Sequence, residues 1–398
     1  GADEVCGDGL DNDCVDGDLV CPVGDCASNA DCGQGMWCDT SQGACIYPKA
    51  WHYWAPVVYQ DTHEGAESPE WDYPTAVNFD NDWVLGNNWD NADLYYKPLY
   101  VYYSFVKTET HWYIGYYFYY PRRWSTFGVL GKQYENAMRS VLLVVRQDGG
   151  FGQLELMETS SENTFYRYVP EGSELVGFTD GQIKWDASTG HNRPVVFIQD
   201  QTHTITGHSD WDTDGFPGEN GLLLTWDFQS DIPADALVGE FSYSLLENKG
   251  ELWSRRAEIG DTKVFQPFGY FAGDDAIADS RAPWALRDAS LEPTAPAGEL
   301  LWDPATMVRR HFPQGWGVFD AKYTYNPYAH RVDLVDLMVY EDLDGLPFQG
   351  GSDPYINLYI RDGVGKEHKA LGKSGGYIAS WSADDAEEDA LYKLKQDG

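Results

Sequence analysis

Carboxylates are the side chains here whose crowding asks for a chemical explanation. Residues 3–21, DEVCGDGLDNDCVDGDLVC, place Asp8, Asp11, Asp13, Asp16 and Asp18 within eleven positions, with Gly9 and Gly17 among them. Like charges so close repel one another unless a cation offsets them, and hard oxygen ligands in a turn-rich loop favour Ca2+. A second crowd lies in QTHTITGHSDWDTDG, residues 201–215. Its DWDTDG matches the D-x-D-x-D-G opening of a calcium loop, in which glycine permits the sharp turn. An EF-hand needs Glu at the twelfth position, where this chain has Gly221, and Glu219 comes two residues early. A non-helical Ca2+ loop through Asp210, Asp212 and Asp214 is therefore the expectation. A zinc site built from His203, His208 and these aspartates is the sharper alternative, and solvated side chains the plain one.

The seven cysteines, Cys6, Cys14, Cys21, Cys26, Cys32, Cys38 and Cys45, all fall in the first 45 residues. No histidine lies among them, and the paired CxxC of a zinc ribbon is missing. A small module stapled by disulfides in an oxidising compartment accounts for them better. Seven is odd, so at least one thiol is free or bridges to another chain. No signal peptide is visible, and a mature chain starting at Gly1 would have lost it. The expected location is extracellular, at the cell surface.

The elements that must position these residues are strands. At 398 residues, two or three domains is the starting expectation, and 42% apolar content fills a sizeable core. The formal charge, 27 basic minus 64 acidic side chains, is −37. Such a field repels nucleic acid and anionic membranes unless metal ions intervene, and suits divalent cations, salt-rich surroundings or a highly solvated exterior. No run reaches the ~18 apolar residues of a membrane helix. From Ile46 onward, APVVYQD, DWVLG, PLYVYYSFV, HWYIGYYFYYP, SVLLVVR, GQLELME, PVVFIQD, GLLLTWDF and TKVFQPFGYF are apolar runs broken by turn residues. Helical periodicity is confined to Asp275–Ser290, and Pro293, Pro296 and Pro304 mark a linker or long surface loop over 286–305. The fold class is mainly β. It comprises a β-sandwich core domain (51–290), a small disulfide-rich N-terminal module (1–50), and a linker with a C-terminal β-sandwich-like segment (291–398). The centre is Thr110–Val145, where WYIGYYFYYP reads as a strand packed on both faces and ended by Pro121. A polar connection, Arg122–Arg139, leads to a second strand, Ser140–Arg146.

Four stretches resemble known sequences. GDGLDNDC within residues 3–21 resembles the Cys/Asp-rich metal-binding motif of surface proteins from myxobacteria and their relatives, departing from it where Val15 precedes Asp16-Gly17. Residues 22–45 are similar to the D-C-x-x-G-x-x-C spacers of secreted bacterial proteins. Residues 51–235 resemble the vacuolar-sorting-associated-protein-like β domains of fungi and bacteria, distantly akin to necrosis-inducing proteins. The likeness lies in Tyr119-Tyr120-Pro121-Arg122-Arg123-Trp124, the turn Tyr134–Arg139, the strand Val141–Val145 and the later PVVFIQDQTH. That resemblance implies His, Asp and Glu at the strand corner and polar turn. This chain has Tyr120, Arg123, Tyr134, Ala137 and Arg139 there, keeping Glu135, Asn136 and His203. Because arginine cannot ligate metal, the resemblance implies a scaffold whose ancestral cation site has decayed. Finally, RVDLVDLMVYEDLDGLPFQGGSDPYINLYI, residues 331–360, resembles the first half of the calcium-dependent, lipid-binding second conserved domain of protein kinase C. The resemblance implies Ca2+ ligation by Asp344 and Asp353, with Asp342 as a helper.

No G-x-S-x-G elbow, P-loop, H-E-x-x-H or dinucleotide glycine fingerprint occurs, which argues against an enzyme. The functional expectation is a secreted, Ca2+-binding, non-enzymatic surface protein with a structural or adhesive role, able to self-associate or meet cell-surface partners. A carbohydrate-binding protein or polysaccharide-active enzyme using tryptophan faces is the alternative, and a toxin-like membrane binder a weaker third. The abundant aromatics fill a core in the plainer account and form sugar-stacking platforms in the other.

Overall fold

The computed structural model describes residues 26–27, 31–32, 36–39, 42–46, 48–63, 69–125, 133–161, 164–175, 179–188, 191–207, 221–273, 280–286, 288, 298–312 and 319–328, with the backbone of 358–361 and 367–371. A hairpin of β1 (Trp37–Asp39) and β2 (Ala44–Ile46) stands first. The main strands follow: β3 (Val57–Gln60), β4 (Tyr100–Thr108), β5 (His111–Arg123), β6 (Tyr134–Arg146), β7 (Gln153–Ser161), β8 (Thr164–Val169) and β9 (Gly181–Gln182). After them come β10 (Trp185–Asp186), β11 (Arg193–Ile198), β12 (Ile205–Thr206), β13 (Gly221–Trp226), β14 (Val238–Glu247) and β15 (Tyr323–Tyr325). Short helices α1 (Ala50–Tyr53), α2 (Asn88–Asn91), α3 (Glu299–Trp302) and α4 (Pro304–His311) decorate them.

Thirteen strands form one mixed sheet in the order β10-β11-β3-β13-β14-β4-β5-β6-β7-β8-β9, with β12 on β11 and β15 on β4. The sheet curls until strands from its two halves face a common interior. Val58, Val196, Leu222 and Leu224 from one half pack there with Ile114, Phe118, Val141, Leu143 and Tyr168 from the other. This is the sandwich core. The outer face of β4–β8 carries a second core, in which Tyr102, Tyr113, Tyr117, Leu142 and Leu156 pack beneath Leu300, Leu301, Val308 and Phe312. A strand between two cores must be apolar on both sides, which explains the text of β5. Ile114, Tyr116, Phe118 and Tyr120 enter the interior, while Tyr113, Tyr117 and Tyr119 enter the outer core.

The chain differs from its sequence expectation at several points. β5 runs through Pro121 to Arg123, and β6 begins at Tyr134, so the two ends of the expected polar connection, 122–123 and 134–139, are strand. Pro121 is tolerated because β4 pairs with β5 only as far as Tyr117. Beyond it that edge is outside the ladder, and Pro121 shares the backbone direction of Tyr119, whose carbonyl there accepts the N–H of Thr75. DWVLG runs into a 3-10 turn at Leu85–Asn87, and TKVFQPFGYF makes isolated bridges rather than a strand. Of the helix expected over 275–290, the described part holds the 3-10 turn Pro283–Ala285. Residues 298–305, expected in a linker, enter α3 and α4 with buried Leu300, Leu301 and Ala305. Their entry needs Gly298 (φ 81°), where a Cβ would run into the backbone of Trp284. Pro304 takes the first turn of α4, where a missing N–H costs nothing.

Residues 329–398 with 294–297 form a separate compact unit. Its described backbone is an antiparallel pair, β16 (Leu358–Arg361) and β17 (Glu367–Leu371).

At the middle of β5, a Cβ on Gly115 would lie 2.5 Å from the Tyr117 hydroxyl and 2.6 Å from Ser104 Oγ. Those two groups are hydrogen-bonded at 2.8 Å and buried. Gly115→Ala is expected to destabilise the protein by about 1–3 kcal/mol through overpacking, read as a lower urea midpoint; an unchanged midpoint would contradict this packing.

Candidate functional site

Two parallel neighbours, β3 and β11, end side by side, with Ile198 opposite Gln60. Their continuations, 61–63 and 199–204, bring Asp61, His63, Asp200 and His203 to one end of the sheet, and the 3-10 turn Pro69–Asp72 adds Asp72. Asp72 is fully buried and accepts the N–H groups of Gln201 (2.8 Å) and His63 (3.1 Å) and the indole N–H of Trp124 (3.2 Å). His203 Nε2 lies 3.1 Å from the same carboxylate, and its ring lies flat on Tyr120, centroids 3.7 Å apart. Burial, followed by the Arg139 cation, holds the His203 imidazole well below its ordinary pKa. It is neutral at pH 7 and donates to Asp72. Burial likewise pushes the Asp72 carboxyl up to about 7, against the N–H donors that favour its charge.

The second pair is more open. His63 Nδ1 lies 3.0 Å from Asp200, whose carboxylate also accepts the Gln201 amide at 2.9 Å. Asp61 has a carboxyl raised to about 7 by burial and then by the charges of Asp200 and Asp72. Arg139 reaches Thr202 O (2.9 Å) and the Tyr134 hydroxyl (3.2 Å), fixing the loop from below. Perturbed carboxyls beside imidazoles can move protons near pH 7. Here the best-formed pair, Asp72–His203, uses the Asp72 carboxylate and the His203 Nε2–H to hold the loops together.

Of the polar residues kept by the expected site, His203 belongs to this cluster, while Glu135 and Asn136 do not join it. Asn136 (φ 63°) fills all four positions of its amide on the outer side of the sheet. Its Oδ1 accepts from Tyr119 Oη (2.5 Å) and Asn88 Nδ2 (2.9 Å), while its Nδ2 donates to Leu85 O (2.9 Å) and Ala272 O (2.6 Å). Glu135 accepts the Trp89 N–H at the start of α2 (3.0 Å). His203 reaches the cluster through Asp72, 131 positions away in sequence, and not through Glu135 or Asn136. A third cluster joins α4 to the sheet. His311 Nδ1 lies 2.7 Å from Glu158, and its Nε2 lies 2.6 Å from Asp288, all three buried. Burial alone would lower the imidazole's pKa, but the two carboxylates outweigh it and raise it to about 9.

Of the expected metal ligands, Asp8, Asp11, Asp13, Asp16, Asp18, Asp210, Asp212, Asp214, Asp342, Asp344 and Asp353 lie outside the described residues, as do His208 and Cys6, Cys14 and Cys21. The other four cysteines form crossed disulfides, Cys26–Cys38 and Cys32–Cys45. Among the described residues, the one trio of ligand-type groups within 4.8 Å of one another is Cys26, Cys32 and Cys38. Its sulfurs are disulfide-bonded, which leaves no thiolate to hold an ion.

Sequence reasoning missed Asp61, His63, Asp72 and Asp200, although a signal was present. VVYQDTH at 57–63 and VVFIQDQTH at 195–203 are near-copies. The parallel ladder sets Val57, Val58 and Tyr59 against Val195, Val196 and Phe197 in the register of that repeat. It also missed a cleft of about 440 Å3 on the sandwich rim, lined by Tyr53, Trp54, Gln153, Trp185, His191 and Asn192 together with Gly152, Leu154 and Pro170. Trp37 of the disulfide hairpin packs behind it, 5.3 Å from the His191 ring and 5.2 Å from that of Trp226.

The folded-state pKa of His311 exceeds its unfolded value, so its protonation stabilises the protein. The contribution is full below about pH 6.5 and is lost as pH rises through about 9. His311→Ala leaves two buried carboxylates without their cation and is expected to cost about 3–5 kcal/mol at pH 6. Urea unfolding at pH 6 and pH 9.5 checks this: the gap between variant and parent narrows at the higher pH, and a gap that widened would contradict the charged trio.

No protein-family model matches the chain, and no curated protein matches it. Among solved structures, it is similar to one described as "Toxin fold for microbial attack and plant defense", at 13% identity over 55% of this chain and 84% of that one, TM-score 0.26. It is also similar to "NLPPya in complex with glucosamine" (12% identity, 55% and 83% covered, TM-score 0.27) and to "Crystal structure of non-toxic HaNLP3 protein" (15%, 37% and 72%, TM-score 0.21). Likeness at this level decides neither the topology nor the function of the chain, which rest on its own residues.

Proposed function

We propose that the chain is a secreted, Ca2+-binding, non-enzymatic surface protein with a structural or adhesive role, able to assemble into a larger extracellular array. The observation that carries the reading is the density of hard oxygen ligands: five aspartates within residues 8–18, and three more in the D-x-D-x-D-G text of 210–215. Asp342, Asp344 and Asp353 extend the set through the family likeness of their stretch. Two disulfides immediately after the first crowd support maturation in an oxidising compartment. A net charge of −37 gives divalent cations a means of bridging molecules that otherwise repel.

Metal analysis of the purified protein, with thermal unfolding in excess EDTA and in millimolar Ca2+, tests the reading. Bound calcium and a higher midpoint are expected, worth about 2.7 kcal/mol at a hundredfold excess over the dissociation constant. Absence of bound metal together with an unmoved midpoint would overturn it. A protein that stays monomeric at high concentration with Ca2+ present would remove the assembly part.

A further inference from the structure

We propose that the rim cleft is a binding subsite for neutral pyranose rings, which gives the adhesive role proposed above its ligand class. The volume, about 440 Å3, lies within the usual ~300–1,000 Å3 of small-ligand sites. Trp185 is the ring that can stack. It is 38% exposed on the short strand β10, and its aromatic neighbour among the described residues is Trp54, tilted by 53° with centroids 6.5 Å apart. Tyr53 is a wall instead, since Phe151 and His191 cover its two sides at 4.2 Å each. The indole face therefore offers an apolar plate of the kind that the C–H side of a pyranose covers.

Beside the apolar Leu154 and Pro170, the lining holds the uncharged polar side chains of Gln153, His191 and Asn192, which separates this cleft from a purely apolar groove. Asn192 has no hydrogen-bond partner among the described residues. Gln153 accepts from Arg146 through Oε1 (2.7 Å), leaving its amide N–H groups for a ligand hydroxyl. Burial lowers the pKa of the His191 imidazole, so it is neutral at pH 7, and no carboxylate lines the cleft among the described residues. Amide donors and acceptors beside an exposed indole match ring hydroxyls. They give no counter-charge to an anionic sugar, which the −37 field also repels. The disulfide hairpin holds Trp37 against His191, so the N-terminal staple braces the wall of the cleft as well as spacing the modules.

Titration calorimetry of the full chain against neutral hexasaccharides of cello-, manno-, xylo-, malto- and chito-type tests the proposal, with Ca2+ and with EDTA. Saturable binding to at least one is expected. Trp185→Ala should weaken it roughly tenfold, the loss of one stacked ring, and Asn192→Ala should weaken it severalfold. Tyr96→Ala, which removes a 67% exposed ring outside the cleft, should leave it unchanged. If Trp185→Ala fails to fold, Asn192→Ala decides. Absence of binding across the panel overturns the proposal, as does binding that both cleft variants leave intact. Sugar binding that persists without any calcium-dependent stabilisation would sink the calcium reading and leave the cleft standing.

Discussion

Satisfying the hydroxyls of β5 is the constraint on which the rest of this structure depends. The strand is buried on both faces, yet five of its side chains are tyrosines, and a buried hydroxyl without a partner costs about 1–3 kcal/mol. Each finds one. Tyr116 donates to Trp51 O, Tyr120 to Gln60 Oε1, Tyr119 to Asn136 Oδ1 and Tyr113 to Asp320 O, while Tyr117 pairs with Ser104. These partners come from α1, β3, β6, the segment before β15, and β4. One strand thus ties together elements more than two hundred residues apart.

Charge is arranged by the same logic. The excess of acid is tolerable where water solvates it, and the described interior admits ions only with partners. Lys97, buried, has Glu70 (2.9 Å), Ala92 O (2.5 Å) and Tyr95 O (3.1 Å) around its ammonium. Arg122 is clasped by Asp93 and the Trp89 carbonyl, with Trp71 and Trp89 against its guanidinium face. His311 sits between two carboxylates, and neutral His203 leans on Asp72. These groups hold loops to the sheet, whereas binding is proposed for the Asp-dense stretches and the rim cleft.

The mainly β class and the apolar strands β3 to β7, β11 and β13 were legible because alternating or continuous apolar text has few other uses. β14 was not, since VGEFSYSLLE mixes exposed and buried positions on a strand whose outer side is partly covered. Tyr134–Arg139 read as a loop because Glu135, Asn136 and Arg139 are polar, and their burial depends on partners that no local text reveals. TKVFQPFGYF read as a strand because its composition is right, though it bridges only at single residues. The crossed disulfides could not be read, since spacing alone leaves several pairings open. With four of seven cysteines paired, three remain (7 − 4 = 3), so the odd count still demands a free thiol or an intermolecular bridge. The acid–imidazole cluster was legible in principle from the repeated Q-D…T-H endings, once two such strands are allowed to lie parallel.

Native amide exchange with and without Ca2+ would test the central claim most directly, because it reports separately on the scaffold and on the Asp-dense stretches. The β5 and β6 amides are expected to exchange slowest in both conditions, with Ca2+ slowing exchange chiefly in peptides covering 8–18, 210–215 and 342–353. Unchanged exchange in those peptides, or calcium protection confined to 61–72 and 199–204, would contradict it.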